Sequence, residues 1–335
     1  MVREGRTRGE RITLAHGNGG RLMHALVDRL AAHFTNPILE ERADAAEVRV
    51  GGARLAFTTD SYVVDPLFFP GGDIGSLAVF GTVNDLAMKG ARPLFLSLGL
   101  ICEEGLPMLL LDRVARSIKK AARRAGVRIV TGDIKVVEKG AAQKLFINTS
   151  GIGPITYAGR LGVRAHPGDV LLINGGIAEH GMAIFQARNK MGFLADIKSD
   201  CAPLDGAVRR CLARSKRIHF LRDVTRGGLA TTLNEIVRVS AVGVEIREKD
   251  IPVRPAVKKM CDVLGFDPLY LPSEGRFVCC VDGRDGGSVK AAMGPRARVI
   301  GRVVGGHRGE VHLLTRVGVG RLLPMLEQDQ LPRIC

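Results

Sequence analysis

The sequence predicts an α/β (α+β) protein of two domains, on three observations. At 335 residues the chain is longer than one hydrophobic core usually serves. Apolar runs of strand length alternate with runs of helical periodicity in both halves. Between the halves, residues 154 to 167 are poor in apolar runs and rich in turn formers, which marks a linker. Apolar residues make up 46% of the chain and are spread throughout, a globular rather than a disordered composition.

The elements follow in order. The turn-rich His16-Gly17-Asn18-Gly19-Gly20 precedes Leu22, Leu26, Leu30 and Phe34, whose spacing makes an opening helix. Leu55 to Thr59 is a strand running into Asp60-Ser61, and a helix spans about Ile74 to Lys89, stopped by Gly90 and Pro93. Leu94 to Ile101 is a strand; a long helix runs from about Pro107 to Gly126; Val127 to Thr131 delivers Gly132-Asp133 to a strand end. Leu145 to Thr149 closes the first half. The second half has strands at Val170 to Ile173, Phe277 to Val281, Ala297 to Val304 and Val311 to Leu314. Helices lie near Gly181 to Met191 and Leu204 to Ala213, with a strand, loop and helix over Phe220 to Val239. From Arg316 the rhythm is lost, and the end reads as a mobile polar tail.

Composition excludes several classes. No apolar run reaches the ~18 residues of a membrane span, and Met1 to Arg11 is charged where a signal peptide has its apolar core. The expected location is the cytoplasm. The seven cysteines form no CxxC pair and no metal-finger spacing, so most are small buried hydrophobes. The net charge of +15 invites nucleic acid. However, Lys119, Lys120, Arg123 and Arg124 fall behind Leu110, Val114 and Ile118 as the solvated face of a helix. Aromatics, at 4%, are too few to interleave with a basic run as a stacking platform. An acidic partner or a small phosphorylated ligand explains the charge at least as well as nucleic acid.

The chemistry collects at strand ends. Asp44, Asp60, Asp85 and Asp223 occupy such places; converging carboxylates suit magnesium, a hard cation that shares its remaining positions with phosphates. Gly17, Gly19 and Gly20 let backbone N–H groups approach phosphate oxygens, and Gly227-Gly228 opens a helix whose N-terminus attracts anions. Taken singly, an aspartate in a βα loop is more often a helix cap. Neither a Walker loop nor a dinucleotide fingerprint is present. The last residue is Cys335, a nucleophilic thiol that suits an acyl carrier or simply ends a frayed tail.

The ordered set His16-Gly17-Asn18-Gly19-Gly20, Thr59-Asp60-Ser61, Asp65 to Gly72, Asn84-Asp85-Leu86-Ala87, Thr131-Gly132-Asp133, Ser199 to Ala202, Thr225-Arg226-Gly227-Gly228 and the terminal Pro-Arg-Ile-Cys resembles the HypE family of hydrogenase maturation factors. These belong to the PurM-like, aminoimidazole ribonucleotide synthetase superfamily. The terminus is the most specific part, since other members of the superfamily lack it. The resemblance implies two PurM-like domains with mixed sheets flanked by helices. An arm, loop and opening helix at 1–35 would lead into an ATP-binding and dimerising domain at 36–155, followed by a second domain at 166–314 and a tail at 315–335. It implies a carbamoyl dehydratase: a carbamoyltransferase, HypF, loads Cys335 as a thiocarboxamide. ATP with Mg2+ then activates the amide oxygen, and loss of phosphate leaves a thiocyanate whose cyanide passes to an iron centre on HypC and HypD.

Carried over residue by residue, Cys335 is the carrier, and Glu274 contacts the thiocarboxamide or takes its proton. Lys135 neutralises phosphate. His16, Gly17, Gly19, Gly20, Asp60, Asn84, Asp85, Asp133, Arg226, Gly227 and Gly228 hold ATP, and Asp44, Asp60, Asp85 and Asp223 hold the metal. The chain departs from the family pattern in reading Ser273-Glu274-Gly275-Arg276 for Asn-Glu-Gly-Lys, Ile134 for Thr, and Ala178-Glu179-His180-Gly181 for Gly-Asp-His-Gly. These departures put the hydrogen bond from residue 273 in question, remove a hydroxyl at 134, and leave His180 open to being a surface histidine. The rivals are a selenide water dikinase, whose working Cys lies near the N-terminus, although no Cys precedes Cys102 here, an aminoimidazole ribonucleotide synthetase, which has no use for a terminal thiol, and a basic scaffold that turns over no ATP.

Overall fold

The computed structural model describes every residue except 1–10, 160, 163, 192–195, 328, 329, 332 and 333. The first ten residues of the expected arm and the Pro332-Arg333 pair of the terminal motif lie outside the described residues. A 3-10 turn at Leu14–Gly17 leads into α1 (Arg21–Ala31) and a short α2 (Pro37–Glu40). The first sheet contains β1 (Ala46–Val50) and β2 (Ala53–Tyr62), and beyond it a two-stranded ribbon pairs β3 (Phe68–Phe69) with β4 (Gly72–Asp73). Then come α3 (Ile74–Met88), β5 (Phe95–Glu103), α4 (Met108–Ala125), β6 (Arg128–Val137) and β7 (Leu145–Pro154). The sheet order is β1-β2-β7-β5-β6, antiparallel except for the parallel pair of β5 and β6.

The first domain is built around α3. Asp73 caps it, its Oδ1 accepting the N–H groups of Gly75 and Ser76 at 2.8 and 3.0 Å. Thirteen of its fifteen residues are buried, as expected of a helix that is apolar all round. One side packs on β2 and β7, another on α4, and its C-terminal part reaches into the second domain. α4 is amphipathic instead: Val114, Ile118, Ala121, Ala122 and Ala125 face inward, and Gly126 ends it in the left-handed conformation. Its basic residues form the solvated face that periodicity predicted.

The second domain comprises β8 (Val170–Ile173), α5 (Glu179–Arg188), α6 (Asp205–Arg214), β9 (Ile218–Asp223) and α7 (Gly228–Ser240). It continues with β10 (Gly243–Arg247), α8 (Pro255–Leu264), β11 (Phe277–Val281), α9 (Gly286–Met293), β12 (Arg298–Val304), β13 (Val311–Leu314) and β14 (Gly320–Leu322). Its sheet runs β14-β13-β10-β12-β8-β11-β9. β11 sits between β8 and β9 and is buried throughout, including Cys279 and Cys280; six of the seven cysteines are buried. Residues 155–167 hold no helix or extended strand among those described.

Two expectations differ from the structure. β1, β10, α8 and α9 were not legible: Glu-Val-Arg-Val and Val-Glu-Ile-Arg carry charges that break the apolar run, and both helices are short. The end of the chain is not simply a polar tail. β14 pairs with β13, Leu323, Leu331 and Ile334 are buried, and the carbonyls of Leu326 and Glu327 accept the N–H groups of Arg21 and Leu22 at the start of α1. A three-residue strand with every residue exposed carries no periodicity to detect. No described helix is long and apolar enough to cross a membrane.

Candidate active site

The glycine-rich turn and the loop entering α7 are pressed together. Gly19 has φ +84°, and a Cβ there would lie 2.7 Å from the Cβ of Arg226 and 3.0 Å from the Gly227 nitrogen. Gly227, with φ +74°, returns the contact, since its own Cβ would meet the Gly19 carbonyl at 3.1 Å. Only glycine supplies both the left-handed backbone and the missing side chain. The His16 ring folds back, its Nδ1 accepting the Thr13 N–H at 3.1 Å. A cavity of about 310 Å3 opens here, at the small end of the range for ligand sites. His16, Gly17 and Asn18 line one side, Ser61 and Val63 another, and Arg226 and Cys335 a third.

Several carboxylates act on Arg226, which lines this cavity. Asp60 is near the end of β2, Asp85 on α3, Asp223 at the end of β9, and Glu274 in the loop before β11. Their charges act on one another. Asp85 is held well above the ordinary carboxylate range by burial, then by Asp223, Asp60 and Asp44. Asp223 is raised by burial, then by Asp44, with Arg222 opposing. Glu274 is raised by burial and by Asp223, Asp200 and Asp60, with Arg226 opposing. A buried pool of negative charge that resists ionisation marks a place where a cation or cationic ligand would be gained. Thr58 supports it, its hydroxyl lying 3.0 Å from Asp85 Oδ2 and 2.9 Å from the Asp44 carbonyl.

The end of the chain enters the same place. The His180 Nε2 is 3.1 Å from the Ile334 carbonyl, and its Nδ1 is 2.8 Å from Ser199 Oγ, which also accepts the Cys201 N–H. With its oxygen engaged by Cys201, the Ser199 hydroxyl donates to Nδ1, so the neutral ring carries its proton on Nε2 and donates to the tail. Burial lowers the His180 pKa from its usual value. Cys335 is half-buried beside the core, and its negative group is the largest influence raising the Arg226 guanidinium, ahead of Asp60 and Glu274.

The structure redistributes several predicted roles. Asn84 is turned entirely toward protein: its amide donates to the carbonyls of Ala202 and Glu274, both at 3.2 Å, and its Oδ1 accepts the Leu204 N–H at 2.8 Å. It clamps the domains and holds Glu274, with both amide N–H donors engaged by protein. Asp44 pairs with Arg222 at 3.1 Å, which also binds Glu235 at 2.8 Å, so it reaches the pool already engaged; burial still lifts its pKa to about 6. Asp133 and Lys135 are exposed and pair with each other on β6. Asp133 lies in the row Ser61, Asn148, Gly99, Asp133, three strand spacings and roughly 14 Å from β2. Within one chain, neither reaches the carboxylate pool. No three of the four aspartates bring oxygens within 4.8 Å of one another among the described residues.

The departures from the family pattern prove to be linked. Glu179 and Arg276 form a buried pair at 2.7 Å, with Asp200 Oδ2 at 3.4 Å from the same guanidinium. Asp200 in turn accepts the N–H groups of Glu274 and Gly275 at 3.1 and 3.3 Å. Ser273 keeps the hydrogen bond in question, its Oγ accepting the Ala178 N–H at 2.9 Å. Ala178 has φ +69°, the conformation that glycine takes without strain. His180 is fully buried rather than a surface histidine. Ile134, on β6, is half exposed. Sequence reasoning missed Asn18, Ser61, Arg222 and Asp200; Asn18, Ser61 and Asp200 sat inside quoted motifs, but the roles of Arg222 and Asp200 become visible only when their partners are brought in from other elements.

Comparison with known proteins gives the family. Residues 42–155 match the family described as AIR synthase related protein, N-terminal domain, and residues 166–314 match its C-terminal domain. The carbamoyl dehydratase HypE of Rhodobacter capsulatus is 47% identical, over 98% of this chain and 99% of its own. A crystal structure of hydrogenase maturation protein HypE in complex with ATP superposes with a TM-score of 0.82 at 48% identity, over 97% of this chain and 100% of that one. A HypE–HypF complex superposes at 0.85 with 42% identity, over 91% and 100%. With both PurM-like domains matched and near full-length identity to such relatives, the chain belongs to the HypE carbamoyl dehydratase family.

Proposed function

We infer that the protein uses ATP to dehydrate a thiocarboxamide carried on Cys335 to a thiocyanate, supplying cyanide for the iron of nickel–iron hydrogenase. The observation that carries this reading is the convergence of Cys335, Arg226 and the glycine-rich turn on one cavity, where Arg226 interacts with the carboxylate pool. The oxygen-only donors Asp60, Asp85 and Asp223 fit Mg2+, with Asp44 available only if it shares itself with Arg222. The ion would offset the charge of the ATP phosphates there. The glycine-rich turn offers N–H groups to phosphate oxygens. Arg226 lies where it can stabilise negative charge as the amide oxygen accepts the phosphoryl group.

The chemistry balances. The thiocarboxamide oxygen takes the γ-phosphoryl group, the C–O bond then breaks with phosphate as leaving group, and the two amide protons are released as the C≡N bond forms. Glu274 is the acceptor for one of them. Its backbone is fixed from both sides by Asn84 and Asp200, and its raised proton affinity suits a base once the site gains positive charge.

HypF is the partner that loads Cys335, and the HypC–HypD complex receives the cyanide, with the protein working in the cytoplasm. A homodimer is proposed through the outer face of the first sheet, where Phe57 on β2 is exposed and exposed Ile101 pairs with Lys135. Only in such an assembly do Asp133 and Lys135 gain a role in ATP binding. In single-turnover experiments the carbamoylated chain should release one phosphate per Cys335, whereas Cys335→Ser should release none. Equal release by the two proteins would refute the assignment.

A further inference from the structure

We propose a second metal site, outside the carboxylate pool, formed by His166, Asp169 and His219 and selective for a zinc-like first-row divalent cation. His166 and Asp169 are the first and last residues of a tight turn. Pro167 occupies its second position and Gly168, with φ +97°, its third, and the Asp169 N–H closes it on the His166 carbonyl at 3.0 Å. This is the sequence and backbone pattern of a type II turn. Two further bonds lock it to the end of β12: Gly168 N–H to the Val303 carbonyl at 3.0 Å, and Val303 N–H to the Asp169 carbonyl at 2.9 Å. His219 arrives from β9, a strand of the same sheet. Two ligands are therefore set by a rigid turn and the third by a sheet.

The three donor atoms face one another. His166 Nδ1 and His219 Nδ1 are 3.5 Å apart, and Asp169 Oδ2 is 2.7 Å from His219 Nδ1. All three lie within 4.8 Å of one another. Two imidazole nitrogens bound to tetrahedral zinc at 2.0–2.1 Å would stand about 3.4 Å apart, so the histidines need almost no movement. In the metal-free state one proton on His219 Nδ1 lies between the carboxylate and the His166 lone pair. A cation replaces that proton and engages all three lone pairs.

Asp169 is 3% exposed, its Oδ2 further held by the His166 N–H at 2.8 Å and approached by the Cys280 thiol at 3.5 Å, which orients the carboxylate. His166 is exposed, leaving a solvent side for entry and for a water ligand. Two imidazoles and one carboxylate favour zinc, cobalt or nickel over magnesium or calcium, which take oxygen ligands. Bound metal would fasten the end of the interdomain linker to the second sheet.

The test is calorimetric titration of the full-length protein with Zn2+ in excess Mg2+, in a His312→Asn background. That substitution disables the exposed His307, Glu310 and His312 group, the other set of compatible geometry among the described residues. One Zn2+ per chain is expected, with affinity weakened about tenfold or more by His166→Ala and by His219→Ala, since each removes one of three ligands. His166 is exposed, so its variant keeps the fold, checked by an unchanged melting temperature without metal. Co2+ should give visible d–d absorption that both variants lose. The absence of stoichiometric Zn2+ binding, or binding equal in the His166→Ala protein, would overturn the site and leave a hydrogen-bonded triad only.

Discussion

Arg276→Met should expose the cost of the buried charge network that carries Glu274. The guanidinium lies 2.7 Å from Glu179 and 3.4 Å from Asp200, and donates to the carbonyls of Gly176 at 2.6 Å and Gly275 at 2.9 Å. Its removal leaves two buried carboxylates. Breaking a buried pair by deleting one partner costs about 3–5 kcal/mol. The lower end applies, because Arg254 still stands 3.6 Å from Glu179 and Asp200 keeps two backbone donors. For a domain of this size, about 3 kcal/mol lowers the melting temperature by roughly 6–12 °C.

The defect has a definite pH sign. Glu179 already has a raised pKa, chiefly from burial, with Arg276 opposing. Without Arg276 the folded carboxyl holds its proton further above the unfolded value, so the folded state binds more protons and stability falls as pH rises. The loss should therefore be larger at pH 8 than at pH 5, and Glu179→Gln in the same chain should recover part of it. Thermal unfolding across this range provides the assay. A melting temperature unchanged within about 2 °C, or a defect independent of pH, would show that the pair contributes nothing net, as many salt bridges do.

Other perturbations test the same geometry. Gly19→Ala forces a Cβ within 2.7 Å of Arg226 at φ +84°; the backbone strain of about 1–2 kcal/mol should lower the melting temperature by roughly 2–8 °C, and ATP affinity measured by calorimetry should fall, an unchanged affinity counting against the turn as the phosphate site. His180→Gln should flatten the acid limb of stability. The buried neutral ring resists protonation, so the wild type loses stability as pH falls below 6.5, the unfolded state taking the proton first; an identical acid limb in the variant would refute this. Mg2+ should raise the melting temperature more at pH 8 than at pH 5, because Asp85 and Asp223 take up protons at lower pH, and Asp85→Asn should remove most of that difference. Equal Mg2+ shifts at the two pH values would count against the carboxylate pool as the metal's place.

Much of the fold was legible because long periodic segments dominate it. α3 and α4 fall within a residue of their expected ends, since capping by Asp73 and Gly126 is written locally. β14 and the packed terminus were not legible, because their stability comes from β13 and from α1, more than 290 residues earlier in the second case. The site divides in the same way. The glycine-rich turn, Asp60, Asp85, Asp223, Arg226 and Glu274 carry their signal in short motifs, and the fold brings them together. Asn84 and Lys135 show that a motif does not reveal direction. Residues 84 and 85 are adjacent on a helix and point to different neighbours, and Lys135 shares a sheet face with Ser61 but lies three strands away from it. The Glu179 and Arg276 substitutions looked like separate departures, yet the packing makes them one ion pair.

The most direct test of the central claim is the mass of the C-terminal peptide after incubation with the carbamoyltransferase, carbamoyl phosphate, ATP and Mg2+. The account predicts a carbamoyl group on Cys335, followed by ATP-dependent loss of one water from that same residue. An unmodified Cys335 in the presence of demonstrably active transferase, or a carbamoyl group that persists with ATP and Mg2+ present, would contradict it.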